Sequence, residues 1–132
     1  MVIDSSAIIA IIFGEEEREI FLDLLEAHAP SAASAVTLHE ASVVTVGKKR
    51  DRTAIRFVDE LIGEYAIEII AVDMIMALAA REVYFRFGRG WHPAKLNLAD
   101  CFSYSLAKAR NEPLLFKGDD FLKTDIVPAW RP

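Results

Sequence analysis

The 132-residue chain is 53% hydrophobic and 27% charged, with a formal net charge of −5. That length suits one domain spanning residues 1–132, whose folding buries roughly two thirds of the unfolded surface without a disulfide or structural metal, and the composition excludes a disordered or collagen-like chain. The negative balance excludes sequence-independent nucleic-acid binding through a broad basic face, though not a local contact.

A lone cysteine, Cys101, rules out an internal bridge, suits a reducing cytoplasm and is expected to fill a helix face. The chain opens directly on a strand pattern, without the basic stretch, apolar run and cleavage site of a secretion signal. No uninterrupted apolar run approaches the roughly 18 residues of a membrane span. The expectation is a cytoplasmic protein with no membrane partner.

Strand and helix patterns alternate from end to end, as in an α/β domain with a largely parallel sheet. Met1-Val2-Ile3-Asp4 is a short β-branched run, a first strand with Asp4 at its C-terminal edge, where open α/β sheets bind ligands. Ser5 or Ser6 caps an apolar helix through Phe13 that Gly14 ends. Residues 15–27 form an amphipathic helix with Ile20, Phe21, Leu24 and Leu25 on one face. Residues 30–35 make a weak second strand of small side chains. In the next helix Val36, Val43 and Val44 lie four before, three after and four after Glu40, which sets that carboxylate on an apolar face. The competing reading is a Thr37 cap with Glu40 three residues on, a capping box. Lys48, Lys49, Arg50 and Arg52 then form a basic run, as helix C-termini favour.

Further along, residues 53–65 read as a helix, 67–72 as a β-branched strand, and 73–87 as a helix with Ile75, Leu78, Ala79 and Val83 at helical spacing. Arg86, Arg89, His92 and Lys95 are spread along the Gly88, Gly90 and Pro93 segment. Asp100 follows Asn97-Leu98-Ala99 at the start of a helix over 98–109, with Leu98, Phe102, Leu106 and Ala109 on its buried side. Pro113-Leu114-Leu115-Phe116 is a buried-strand pattern leading through Lys117-Gly118 to Asp119-Asp120, and residues 125–127 add an edge strand. Trp91 and Trp130 are expected as core or interface anchors, and His28 and His39 as surface residues.

Asp4, Glu40, Asp100 and the Asp119-Asp120 pair therefore each sit where an apolar element ends or turns. Two carboxylates about 4 Å apart repel by roughly 4 kcal/mol at an effective dielectric of about 20. Against a domain stability of about 5 to 15 kcal/mol, several such acids are a serious burden. A shared proton is one relief and a hard dication the other. Oxygen ligands with no nearby His or Cys favour Mg2+, with Mn2+ as a substitute, over zinc.

Four segments in order complete the pattern: Met1-Val2-Ile3-Asp4-Ser5-Ser6-Ala7, Leu38-His39-Glu40-Ala41, Asn97-Leu98-Ala99-Asp100-Cys101-Phe102, and Leu115-Phe116-Lys117-Gly118-Asp119-Asp120-Phe121. Over nearly its whole length the chain resembles the PIN domain, and more closely the VapC-like ribonuclease toxins of toxin–antitoxin pairs. The resemblance implies a three-layer αβα fold around a central, mostly parallel sheet. It implies a metal-dependent endoribonuclease that hydrolyses RNA phosphodiester bonds with carboxylate-bound Mg2+ or Mn2+.

By position in the family pattern, Asp4, Glu40 and Asp100 match the first three metal-site acids. The fourth falls in the Asp119-Asp120 pair. An acid directly before phenylalanine selects Asp120, whereas pairing from the preceding strand selects Asp119; Asp120 is preferred, with Asp119 a neighbour binding through water. Asp4 and Asp100 are then principal ligands, and Glu40 and Asp120 hold a second metal or orient the water. Ser6 and Asn97 support the first and third acids from behind. Also implied are a VapB-like antitoxin laid across the acidic groove with an arginine meeting the carboxylates, and a homodimer, for which helices within 53–87 offer a face. RNA-contacting residues stay unassigned. The alternative is a Mg-binding phosphoacceptor signalling domain, which Lys117 after a late strand would fit. Such a domain needs an acid pair after its first strand, and this chain has Asp4 alone there.

Overall fold

The computed structural model describes residues 1–131. Strands β1 (Val2–Ile3), β2 (Ala32–Ser34), β3 (Glu68–Ile70) and β4 (Leu114–Leu115) pair in parallel in the order β3-β2-β1-β4. Around them lie α1 (Ser5–Phe13), α2 (Arg18–Ala27), α3 (Ala35–Lys49), α4 (Ile55–Glu64), α5 (Met74–Phe87) and α6 (Leu98–Arg110). Single 3-10 turns occupy Arg52–Ala54 and Phe121–Lys123.

Strand alternation sorts the side chains into two cores. Ile3, Ala33 and Leu115 pack with Ile8, Phe21, Leu25, Ala41 and Val58 from the first four helices. Val2, Leu114 and Phe116 pack with Ala80, Phe87, Cys101, Tyr104 and Leu106 from α5 and α6. Each sheet face thus carries its own helical layer, giving the expected three-layer αβα fold about a parallel sheet.

Several local expectations are corrected. The cap of α1 is Asp4 itself, whose Oδ2 accepts the Ser6 N–H at 2.9 Å, rather than Ser5 or Ser6. α2 begins at Arg18, and Ile20 on its expected apolar face is exposed. α3 begins directly after β2, so Ser34 caps it by accepting the Thr37 N–H at 3.0 Å; Thr37 is inside the helix, and Glu40 closes no capping box there. The strand expected over 67–72 is limited to β3, and residues 125–127 add no strand, only an isolated parallel bridge from Leu114 to Pro128.

The two late helices turn differently from their simplest pattern. In α6, Leu98 and Ala109 are exposed and Cys101, Tyr104, Leu106 and Ala107 are buried, because that helix packs on both the sheet and α5. In α5, Ala80 and Phe87 face inward, while Ile75 is 78% exposed and Leu78 and Ala79 also face outward. This helix is apolar on more than one side, so spacing alone could not choose between them. Trp130 packs edge-on against Phe21, as an anchor does, but Trp91 is mostly exposed beside Phe85. His28 and His39 are on the surface.

Candidate functional site

Chain order reverses between β1 and β4, because β2 and β3 follow on one side of β1 and β4 returns on the other. Such a switch point opens a crevice beyond the carboxyl ends of the strands. Asp4 ends β1 there, its N–H donating to the Leu115 carbonyl at 2.9 Å. A cleft of about 360 Å³ opens beside it, and Asp4, Glu40, Asp100 and Asp120 all line it, together with Ser6 and Asn97.

Each acid is held by a different device. Asp4 is 1% exposed, and its Oδ2 accepts both the Ser6 N–H at 2.9 Å and the Ser6 hydroxyl at 2.6 Å. The Ser6 oxygen in turn accepts the Lys117 N–H at 3.0 Å, which ties the loop after β4 to α1. Asp4 Oδ1 is buried with no hydrogen-bond partner. Glu40, in the second turn of α3, accepts a 2.6 Å hydrogen bond from the Ser5 hydroxyl through Oε2. Asp100 and Asn97 form a capping box at the start of α6. Asp120 stands at the head of the Phe121–Lys123 turn, with a distant Lys123 at 3.9 Å. Asp119 is exposed and is not among the described residues lining the cleft.

Burial and mutual repulsion dominate the electrostatics. Desolvation, then the Asp4 charge, push the Asp100 carboxyl up to about 7, with Glu40 and Asp120 adding repulsion against the Asn97 backbone hydrogen bond. Glu40 is raised as well, mainly by burial and also by Asp4, while Ser5 and Asn97 pull it back. At neutral pH the cleft therefore sits near the point where an acid keeps or gives up its proton.

The donor set fits a hard divalent cation. All the converging donors are carboxylate oxygens, and an orphaned buried carboxylate oxygen costs free energy until something meets it. Among the described residues, no three His, Cys, Asp or Glu side chains are drawn together tightly enough to enclose an ion by themselves. An open arrangement suits Mg2+, which keeps several waters and takes only one or two carboxylates directly. Cys101 lies outside this set, as expected: it is buried, and burial first and Asp100 second push its thiol up to about 12.

Ser5, Glu15 and Lys117 join the cleft through contacts between distant parts of the chain. Ser5, a cap candidate by position, instead donates its hydroxyl to Glu40. Glu15 lines the cleft, and Lys117 bridges Glu15 at 2.7 Å and Glu17 at 2.6 Å. The only sequence signal was a cation beside the late acids. A larger apolar groove of about 540 Å³ lies between α5 and α6 and meets the acidic cleft at Asn97, but its walls include Ala77, Tyr84, Leu98 and Phe102 and no carboxylate.

With this geometry in view, the similarities to known proteins are specific. The PIN domain family model matches residues 1–127. Ribonuclease VapC42 of Mycobacterium tuberculosis is 45% identical over 131 residues, covering 98% of each chain. The crystal structure of Mycobacterium tuberculosis VapC20, a sarcin-ricin loop cleaving toxin, superposes with a TM-score of 0.76 at 14% identity over 96% of this chain and 95% of that one. VapBC2 from Rickettsia felis, solved bound to a DNA fragment from their promoter, gives 0.72 at 17% identity over 96% of this chain and 94% of that one.

Proposed function

Since the chain belongs to the PIN-domain family, we propose that it is a divalent-metal-dependent endoribonuclease acting as the toxin of a toxin–antitoxin pair. The observation that carries this reading is Asp4 Oδ1, a buried and unpartnered carboxylate oxygen in a cleft that Glu40, Asp100 and Asp120 also line. The curated relative's name, a VapC ribonuclease, supports the choice of RNA as substrate.

In this reading Asp4 and Asp100 hold Mg2+ or Mn2+ directly. Glu40 and Asp120 hold a second ion or orient the attacking water, and Asp119 reaches the site only through water. A bound divalent cation supplies activated water at neutral pH and relief of charge on the phosphate. Ser6 fixes the Asp4 carboxylate, so its free oxygen points one way. Asn97 does the same for Asp100, and Ser5 for Glu40. The raised Asp100 carboxyl belongs to the metal-free cleft, and a bound dication would hold it ionised as a ligand, so metal binding there would release a proton near neutral pH. The phosphoacceptor alternative has no support in the cleft, where Asp4 is the only acid directly after β1.

Two protein partners belong to the same reading. A VapB-like antitoxin presenting an arginine would neutralise the carboxylates and exclude the metal. A second copy would cover the outer face of α5, where Met74, Ile75, Leu78 and Phe85 are exposed. No helix among the described residues is long and apolar enough to cross a membrane, and the reading places the protein with its RNA in the cytoplasm.

The test is purified protein incubated with RNA and Mg2+ or Mn2+. Cutting should require the metal, stop with chelator, and vanish in Asp4→Asn and Asp100→Asn while both variants remain folded. Full activity in either variant removes the mechanism.

A further inference from the structure

The seam between α1 and α3 keeps one register over three levels. Ser5 bonds Glu40, Ile9 and Val44 line the same cleft, and Lys48 Nζ stands 4.8 Å from the centre of the Phe13 ring. Each of these pairs is 35 positions apart. The helices therefore run parallel and side by side, and eight residues at about 1.5 Å each carry the seam about 12 Å from the acids.

The far end of that seam is basic. Lys49 Nζ lies 5.0 Å from the Phe13 ring centre and 5.6 Å from that of Phe57, and the Arg56 guanidinium lies 5.0 Å from Phe57. Residues 48–56 hold five of the chain's 15 Lys and Arg, against one carboxylate, Asp51. Asp51 is engaged by the Thr53 N–H and hydroxyl. Among the described residues none of these five cations makes a salt bridge, whereas Arg86, Lys108, Arg110, Lys117 and Lys123 all do. The aromatic faces hold the ammonium groups in place without neutralising them.

An acidic cleft on a chain of net charge −5 repels a polyanion, so an RNA substrate needs an attractive contact nearby. Building on the ribonuclease reading above, we propose that Lys48 and Lys49, held over Phe13, form a subsite for an RNA backbone phosphate displaced from the scissile one along the α1–α3 seam. The rings are already covered by cations, so the subsite reads backbone charge and not bases. It anchors RNA of any sequence whose chain runs from the acids down the seam.

The test is fluorescence anisotropy with a mixed-sequence single-stranded RNA 12-mer, in an Asp100→Asn background that blocks cutting and removes one repelling acid. Lys48→Gln/Lys49→Gln should weaken binding about tenfold at about 50 mM salt and flatten the slope of log affinity against log salt by about 0.7, the share of one lost single-strand phosphate contact. Lys48→Arg/Lys49→Arg should retain both. Unchanged affinity and slope in the glutamine variant, with an unchanged urea midpoint, overturns the subsite. So does a glutamate-rich 12-residue peptide that displaces the RNA as well as unlabelled RNA does, since the patch then serves an acidic protein segment. Metal-dependent cutting by the unmodified protein is read separately. RNA held through the lysines but never cut keeps the subsite and removes the nuclease; cutting indifferent to the lysines does the reverse.

Discussion

Asn97 and Asp100 hold each other reciprocally: the Asn97 carboxamide oxygen accepts the Asp100 N–H at 2.9 Å, and Asp100 Oδ2 accepts the Asn97 N–H at 2.7 Å. One aspartate thereby starts α6 and faces the cleft. Asn97→Ala should cost about 1 kcal/mol in urea unfolding, the usual worth of a lost cap, and raise the metal concentration needed for half-maximal cutting. Asn97→Ser should recover most of the stability. An unchanged urea midpoint in the alanine variant would mean the box contributes nothing.

Acidification should stabilise the metal-free protein between about pH 5 and pH 7. Asp100 is raised to about 7 and Glu40 is raised too, so the folded state binds more protons than the unfolded state across that window. Stability then falls as pH rises through it, with Asp100 contributing a slope of order 1.4 kcal/mol per unit. Carboxylates held low, such as Glu17 and Asp125, act below the window with the opposite sign. Urea midpoints measured in chelator at several pH values would show this. Asp100→Asn should remove most of the slope, and saturating Mg2+ should flatten it.

Ser6 serves two elements at once, donating its hydroxyl to Asp4 and accepting the Lys117 N–H. Ser6→Ala should therefore destabilise by about 1 to 2 kcal/mol, a hydrogen bond to a charged group being lost and a backbone donor left unmet. Metal affinity should fall about 10- to 100-fold, the usual cost of losing a group that orients a ligand. Calorimetry with Mn2+ reads the second effect, and equal affinity in the variant would show that Asp4 needs no such support.

Asp120 lines the cleft and repels Asp100, whereas Asp119 does neither among the described residues. Asp120→Asn should lower cutting at least tenfold at low metal concentration, while Asp119→Asn stays within about threefold of the unmodified protein. The opposite ranking would make Asp119 the fourth acid.

How much of this was legible depended on the range of the interaction. Asp4 and Asp100 stand out because strand ends and helix starts are written in neighbouring residues, β-branched before one and Asn97 three before the other. Ser34 and Thr37 are both good caps, and the choice turned on β2 running straight into α3 with no loop between, which no local pattern records. The Ser5 contact to Glu40 and the Lys117 contacts to Ser6, Glu15 and Glu17 join residues far apart in the chain. The outward face of α5 was hidden for another reason: apolar side chains meant for the core and those left uncovered have the same composition.

The central claim is that Asp4 and its neighbouring acids form one cation site. Calorimetric titration of Mn2+ at about pH 7.5 tests it most directly. Saturable binding by the unmodified chain is expected, with affinity at least tenfold weaker in Asp4→Asn even though that variant, relieved of a buried charge, unfolds no more easily. No saturable binding at millimolar Mn2+, or equal affinity in Asp4→Asn, would contradict it.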